Sequence, residues 1–166
     1  AGLTALPHYS MLAEPAKPVL AVRSKEWATL RTQHDLPVLP AQETQATSSV
    51  QKFFKDRYNL EVSENDNQNL YRFVTQWHRA PYRWGGLTKR GVDCSGLVGA
   101  AAGEVFNVEL TRGADHIYKQ CQPVLKSELQ EGDLVFFKIA SSRISHVGMY
   151  LKNNKFVHAT TCCGVI

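Results

Sequence analysis

Gly91-Val92-Asp93-Cys94-Ser95-Gly96-Leu97-Val98-Gly99-Ala100-Ala101-Ala102 places a cysteine where a polar turn gives way to a long apolar, alanine-rich run. The run reads as a helix. Asp93 has the short acceptor side chain of an N-cap, and Leu97, Val98, Ala101, Ala102, Val105 and Phe106 recur at the spacing of one helical face. Cys94 therefore falls in the first turn. There, unpaired backbone N–H groups and the helix dipole favour a thiolate, and known cases fall from about 8.5 to roughly 3.5–7.5. A reactive thiol also needs a group to manage its proton. Two histidines lie downstream in strand-like runs: His146 opens His146-Val147-Gly148-Met149-Tyr150-Leu151, and His158 lies within Lys155-Phe156-Val157-His158-Ala159. A nucleophile on an early helix with a base on a later strand is the order used by thiol hydrolases.

Outward from this motif the chain divides unevenly. Its 166 residues suffice for one good core. The formal charge of +4 is not shared: residues 1–65 hold seven Lys/Arg against seven Asp/Glu, whereas residues 66–166 hold twelve against eight. A modest positive surplus around the cysteine motif suits an acidic substrate or surface. No basic run exceeds Lys89-Arg90, which argues against a nucleic-acid partner, and no 18-residue apolar stretch is long enough for a transmembrane segment. No signal peptide is visible. The four cysteines (Cys94, Cys121, Cys162, Cys163) match no zinc spacing, and neither metal nor other cofactor is expected. Adjacent Cys162 and Cys163 would form a strained bridge, and either has Cys121 as an alternative partner.

Residues 1–47 contain five of the seven prolines and end in a polar stretch, and they read as an arm or tether. Ser24 to Arg31 offers a short helix whose Trp27 would dock on the main body. Residues 48–166 read as the catalytic domain. Ser48 or Ser49 is expected to cap a short helix bearing Val50, Phe53 and Phe54, and Leu70, Phe73, Val74 and Trp77 mark a second helix that Pro81 stops. Thr111 is expected to cap a further helix through Ile117 and Tyr118 to Cys121. A buried strand follows at Leu134 to Ile139. The runs 146–152 and 155–161 flank Asn153-Asn154, two residues that tolerate positive φ, and form a tight hairpin. Helices first and an antiparallel sheet afterwards give an α+β domain with the nucleophile helix packed on the sheet.

Five blocks together resemble the NlpC/P60 family of bacterial cell-wall peptidases: Pro81-Tyr82-Arg83-Trp84-Gly85-Gly86, Gly91 to Val98, Gly132-Asp133-Leu134-Val135-Phe136-Phe137, His146-Val147-Gly148-Met149-Tyr150, and Phe156-Val157-His158-Ala159. They occur in the family's order, and the resemblance spans roughly residues 70–166. It implies a papain-like fold, hydrolysis of amide bonds in peptidoglycan stem peptides, and a bacterial envelope location, periplasmic or secreted. An acyltransferase or amidase acting on a small molecule or lipid is the alternative, since the wider superfamily uses the same cysteine and histidine.

Carried over residue by residue, the resemblance makes Cys94 the nucleophile, His146 the general base and His158 the group that orients it. Tyr82 would help the Cys94 backbone N–H hold the oxyanion, with core packing beside Trp84 as its other reading. Asp93 and Ser95 would line a substrate-binding subsite for the stem peptide's amine, and Arg112 would meet a substrate carboxylate. For Asp93 the helix cap is a sufficient role by itself. Two departures stand out. Gly113 occupies a position that is usually Ser or Thr, and the chain ends at Ile166, where the family normally adds a strand or two; were Ile166 the native end, the bare sheet edge would need covering by another chain or the N-terminal arm, and a shortened chain is the simpler explanation. Cys162-Cys163 stand where small hydroxyl residues are common, four and five residues past His158, near enough to raise redox sensitivity or to be a neutral exchange. His8, His34, His78 and His116 lie outside the blocks and receive no role.

Overall fold

The computed structural model describes residues 4–5, 18–24, 42–139 and 142–166, with side chains placed from residue 48 onward. The docking expected of Trp27 lies outside these residues, as does most of the helix expected over 24–31, whose first residue, Ser24, is the end of a strand.

Three helices precede most of the sheet. Helix α1 (Gln42–Tyr58) starts well before Ser48, so both candidate capping serines lie inside it. Its inward face carries Val50, Phe54 and Tyr58. Helix α2 (Gln68–Trp77) is capped by Asn67, whose side chain accepts from the Leu70 N–H at 3.0 Å, and it buries Leu70, Tyr71, Phe73, Val74 and Trp77. Helix α3 (Cys94–Phe106) begins at the cysteine itself and ends at Asn107 in the left-handed conformation (φ 54°). Its stripe of Leu97, Val98, Ala101 and Ala102 is wholly buried. The small alanines let the helix approach the sheet closely, which places its first turn against the strands instead of in solvent. A shorter helix α4 (Ala114–Gln120) follows, capped at Gly113 (φ 90°) and not at the expected Thr111.

The main sheet has six strands, β1 (Thr4–Ala5), β2 (Pro18–Ser24), β5 (Cys121–Val124), β6 (Leu134–Phe137), β7 (His146–Tyr150) and β8 (Lys155–Val157), in the order β1-β8-β7-β6-β2-β5. The N-terminal residues therefore enter the sheet. Strand β2 pairs antiparallel with both β6 and β5, and β1 pairs parallel with β8 at the edge where a bare strand was expected. Strands β6 and β7 align Phe137 with His146 and Leu134 with Met149. Asn153 and Asn154 take positive φ (53° and 60°) in the turn to β8, as their short polar side chains permit. The expected strand over 155–161 is broken at His158, and after it β9 (Ala159–Thr160) and β10 (Gly164–Val165) form a small hairpin. Val165 donates to and accepts from the Ala80 and Arg79 backbones, tying this hairpin to the segment ahead of Tyr82. The turn of the hairpin carries a disulfide between Cys162 and Cys163, and Cys121, the alternative partner, is a free thiol. A second small ribbon, β3 (Leu87–Thr88) with β4 (Gly91–Val92), leads into α3.

Candidate active site

The first turn of α3 is built by its cap. Asp93 is 8 % exposed, and its carboxylate takes four donors: the Gly96 N–H at 2.6 Å and the Ser95 hydroxyl at 2.9 Å on Oδ1, the Gly85 N–H at 2.9 Å and the Arg112 guanidinium at 2.8 Å on Oδ2. A carboxylate offers about four acceptor positions, so this one is saturated. The clamp accounts for the glycines in the motif. Gly85 stands at φ 71°, which only glycine adopts without cost. A Cβ on Gly96 would collide with the Gly86 carbonyl oxygen and stand 2.8 Å from Arg112 Nη1. Asp93, Ser95 and Arg112 are thus brought together as predicted, but they are bonded to one another. Trp84, in the same turn, is exposed, whereas Tyr82 packs partly buried against the main core without it.

Cys94 is buried beside this clamp, and its sulfur faces the backbone of β7 at Val147, the residue after His146. Burial raises the thiol above its ordinary value, and the Asp93 carboxylate adds to the rise; the backbone N–H groups of Val147 and Ser95 pull the other way. This corrects the expectation of a thiolate at rest. Desolvation at this depth exceeds the help of the helix N-terminus, and Cys94 rests as a thiol. Tyr82 is half-buried and makes a backbone bridge to Val92, two residues before Cys94, and burial raises its phenol above the ordinary value.

The two histidines meet. His146 Nε2 lies 2.8 Å from His158 Nδ1, with ring centroids 5.0 Å apart and planes at 73°. The contact does not arise from directly paired strand positions, because His146 is opposite Phe137 and His158 lies just beyond β8. It arises because His158 is held by reciprocal backbone bonds to Ile166, each 3.0 Å, and because Gly148 leaves room for it. A Cβ at Gly148 would come within 2.9 Å of the Val157 carbonyl oxygen and 3.3 Å of His158 Cβ. Gly148 is a site residue that sequence reasoning passed over. A glycine two residues from a histidine within a strand was the available signal, since such glycines mark close backbone approach. The pair is flanked by the Phe137 and Phe156 rings, with His158 buried and His146 partly so. Burial pushes His146 down to about 4, and burial together with His146 pushes His158 down to about 3. Both are neutral at pH 7.

The sequence profile of the NlpC/P60 family matches residues 79–166. The chain is 41 % identical over 118 residues to the murein DD-endopeptidase MepS/murein LD-carboxypeptidase of Escherichia coli K12, covering 65 % of this chain and 62 % of that protein. It is 46 % identical over 94 residues to the probable endopeptidase NlpC of the same strain, covering 56 % of this chain and 61 % of the relative. The chain thus spans about three fifths of the length of these curated relatives. Among solved structures, the NlpC/P60 domain of the peptidoglycan hydrolase SagA superposes with a TM-score of 0.54 at 22 % identity, over 61 % of this chain and 86 % of that one, a likeness of fold. NlpC1 from Trichomonas vaginalis superposes with a TM-score of 0.56 at 25 % identity, over 64 % and 40 %.

Proposed function

The chain belongs to the NlpC/P60 family, and on that premise we propose that it is a cysteine peptidase that hydrolyses amide bonds in peptidoglycan stem peptides in the bacterial envelope. The observation that carries the reading is the pairing of His146 with His158 on the strand that Cys94 faces. With His146 Nε2 committed to His158 Nδ1, proton exchange with the thiol falls to His146 Nδ1. That requires the tautomer in which Nε2–H donates to His158 and Nδ1 is bare.

Chemistry then starts from a neutral pair. As Cys94 Sγ attacks the scissile carbonyl carbon, His146 Nδ1 takes the thiol proton, so the ion pair forms only as the new bond does. The oxyanion is received by the Cys94 backbone N–H and the Tyr82 hydroxyl. His146 returns the proton to the leaving nitrogen, the C–N bond breaks and a thioester remains. A water then attacks the thioester and gives its proton to His146; that proton passes to the departing sulfur, and the thiol is restored. Two of the named relatives are called endopeptidases of murein or of unnamed substrate, which supports a cell-wall substrate for this chain.

The test is mass spectrometry of purified muropeptides and sacculi incubated with this protein beside Cys94→Ala. New stem-peptide fragments that vanish with the variant are the expected result, and their masses name the bond. Intact muropeptides alongside thioester turnover only when an amine or alcohol acceptor is supplied would replace the peptidase with an acyltransferase.

A further inference from the structure

Arg112 was the residue expected to wait for a substrate carboxylate, yet its guanidinium is already engaged. Nη2 donates to Asp93 Oδ2 at 2.8 Å, the oxygen that also holds the Gly85 N–H at 2.9 Å, and Nη1 lies over Gly96 in the first turn of α3. A single carboxylate thereby ties three segments: the Trp84-Gly85-Gly86 turn, the helix that starts at Cys94, and the loop between α3 and α4. The Asp93 side chain is 11 % exposed and that of Arg112 is 43 % exposed, so the pair joins a nearly buried acid to a base at the rim. A buried carboxylate that loses its cation is left uncompensated in a poor dielectric. Asp93 is also among the charges that raise the Cys94 thiol, and the Arg112 guanidinium stands 2.8 Å from that carboxylate.

We propose that Arg112 is a positioning residue for the cysteine nucleophile, acting through Asp93: it holds the cap carboxylate and the Gly85 turn so that Cys94 and the oxyanion-binding N–H keep their places. This rests on the peptidase reading for its kinetic consequence only. The guanidinium fork suits the task because it offers parallel donors, one to the carboxylate and others across the helix end, where an ammonium is a point charge. The substrate amine subsite expected at Asp93 is correspondingly filled from within the chain.

The experiment compares R112Q, R112K, D93N and the double variant D93N/R112Q. Two readouts are taken: kcat and KM on a muropeptide, and the rate at which iodoacetamide labels Cys94 across pH, followed on the Cys94 peptide so that Cys121 does not interfere. R112Q is expected to label Cys94 about tenfold more slowly at pH 8, with its labelling profile displaced to higher pH, because the Asp93 charge then acts on the thiol unopposed. Its kcat is expected to fall about tenfold with KM within about twofold. R112K should recover part of both, and R112Q should add nothing once Asp93 is Asn, since residues acting as a unit are not additive. Should R112Q unfold, R112K carries the test through its intermediate labelling rate; a rate equal to that of the unsubstituted protein would count against the proposal. A raised KM with kcat and labelling unchanged, multiplying with D93N, would overturn it and make Arg112 a ligand for a substrate carboxylate. The labelling readout needs no substrate, so the proposal fails or stands even if the peptidase reading fails.

Discussion

The two walls of the cleft hold their residues by opposite means. On the α3 side, one carboxylate gathers four donors, which fill its acceptor positions. On the β7 side, two imidazoles meet at 2.8 Å among aromatic rings, placed by burial, by a glycine and by backbone bonds to Ile166. The first wall is positioned by hydrogen bonds and tolerates charge. The second is positioned by packing and expels it. The proposed catalysis needs both, because a nucleophile must keep its direction while its base must remain unprotonated at neutral pH.

The largest effect expected on this comparison comes from the histidine wall. His146→Ala is expected to cut kcat/KM about 10³-fold, the upper-middle of what general bases contribute, with Cys94 still present and the fold retained; a loss below tenfold would show that another group takes the proton. His158→Ala comes next, at about 10²-fold, because His146 survives but its tautomer and direction are released. His158→Asn should lose less, since an amide can still accept from a ring N–H. Muropeptide cleavage rates rank the three variants.

Acid separates the walls without mutation. Both histidines have folded values, about 4 and about 3, below the ordinary imidazole value near 6.5. Between these limits the unfolded chain binds protons that the folded chain refuses, so stability is full above about pH 6.5 and falls as pH drops through the window. For His146 alone the loss by pH 4 is on the order of 3 kcal/mol. Thermal melts at pH 7.5 and pH 4.5 should show it, and His158→Asn should flatten the difference. Over the same range kcat/KM of the folded enzyme should hold to about pH 5, because His146 keeps its base form until its own value is reached.

Smaller structural effects sharpen the contrast. Gly148→Ala places a methyl against the Val157 carbonyl and His158 Cβ, and overpacking of this kind costs about 1–3 kcal/mol. It should also separate the imidazoles and depress kcat, read in one melt and one kinetic run. Ser95→Ala removes one donor of four from Asp93 and should cost about 1 kcal/mol, with the remaining three donors keeping the cap in place. If Ser95→Ala proved the costlier of the two, the ranking of the walls would be reversed.

Much of the site could be read before any coordinates. Asp93 as a cap, Cys94 in the first turn and the Asn153-Asn154 turn are local features, each decided within a few residues of chain, and the fold bears them out. The same locality explains the errors. Ser48, Ser49 and Thr111 are good capping residues, but α1 begins at Gln42 and α4 is capped at Gly113, because packing against neighbouring elements sets where a helix starts. The pairing of Cys121, Cys162 and Cys163 stayed open on local grounds, and the structure joins Cys162 to Cys163.

The sequence by itself determined the helix at Cys94, its cap and the family that the blocks around Cys94, His146 and His158 imply; these rest on short-range periodicity and on residue chemistry. Only the tertiary structure decided that Cys94 rests as a thiol, that His146 and His158 are neutral partners, that Arg112 is spent on Asp93, and that β1 and β2 complete the sheet. The physical reason is common to all four. Desolvation and long-range pairing are properties of what surrounds a residue, and here those surroundings come from segments far away along the chain, as where Thr4 pairs with Lys155.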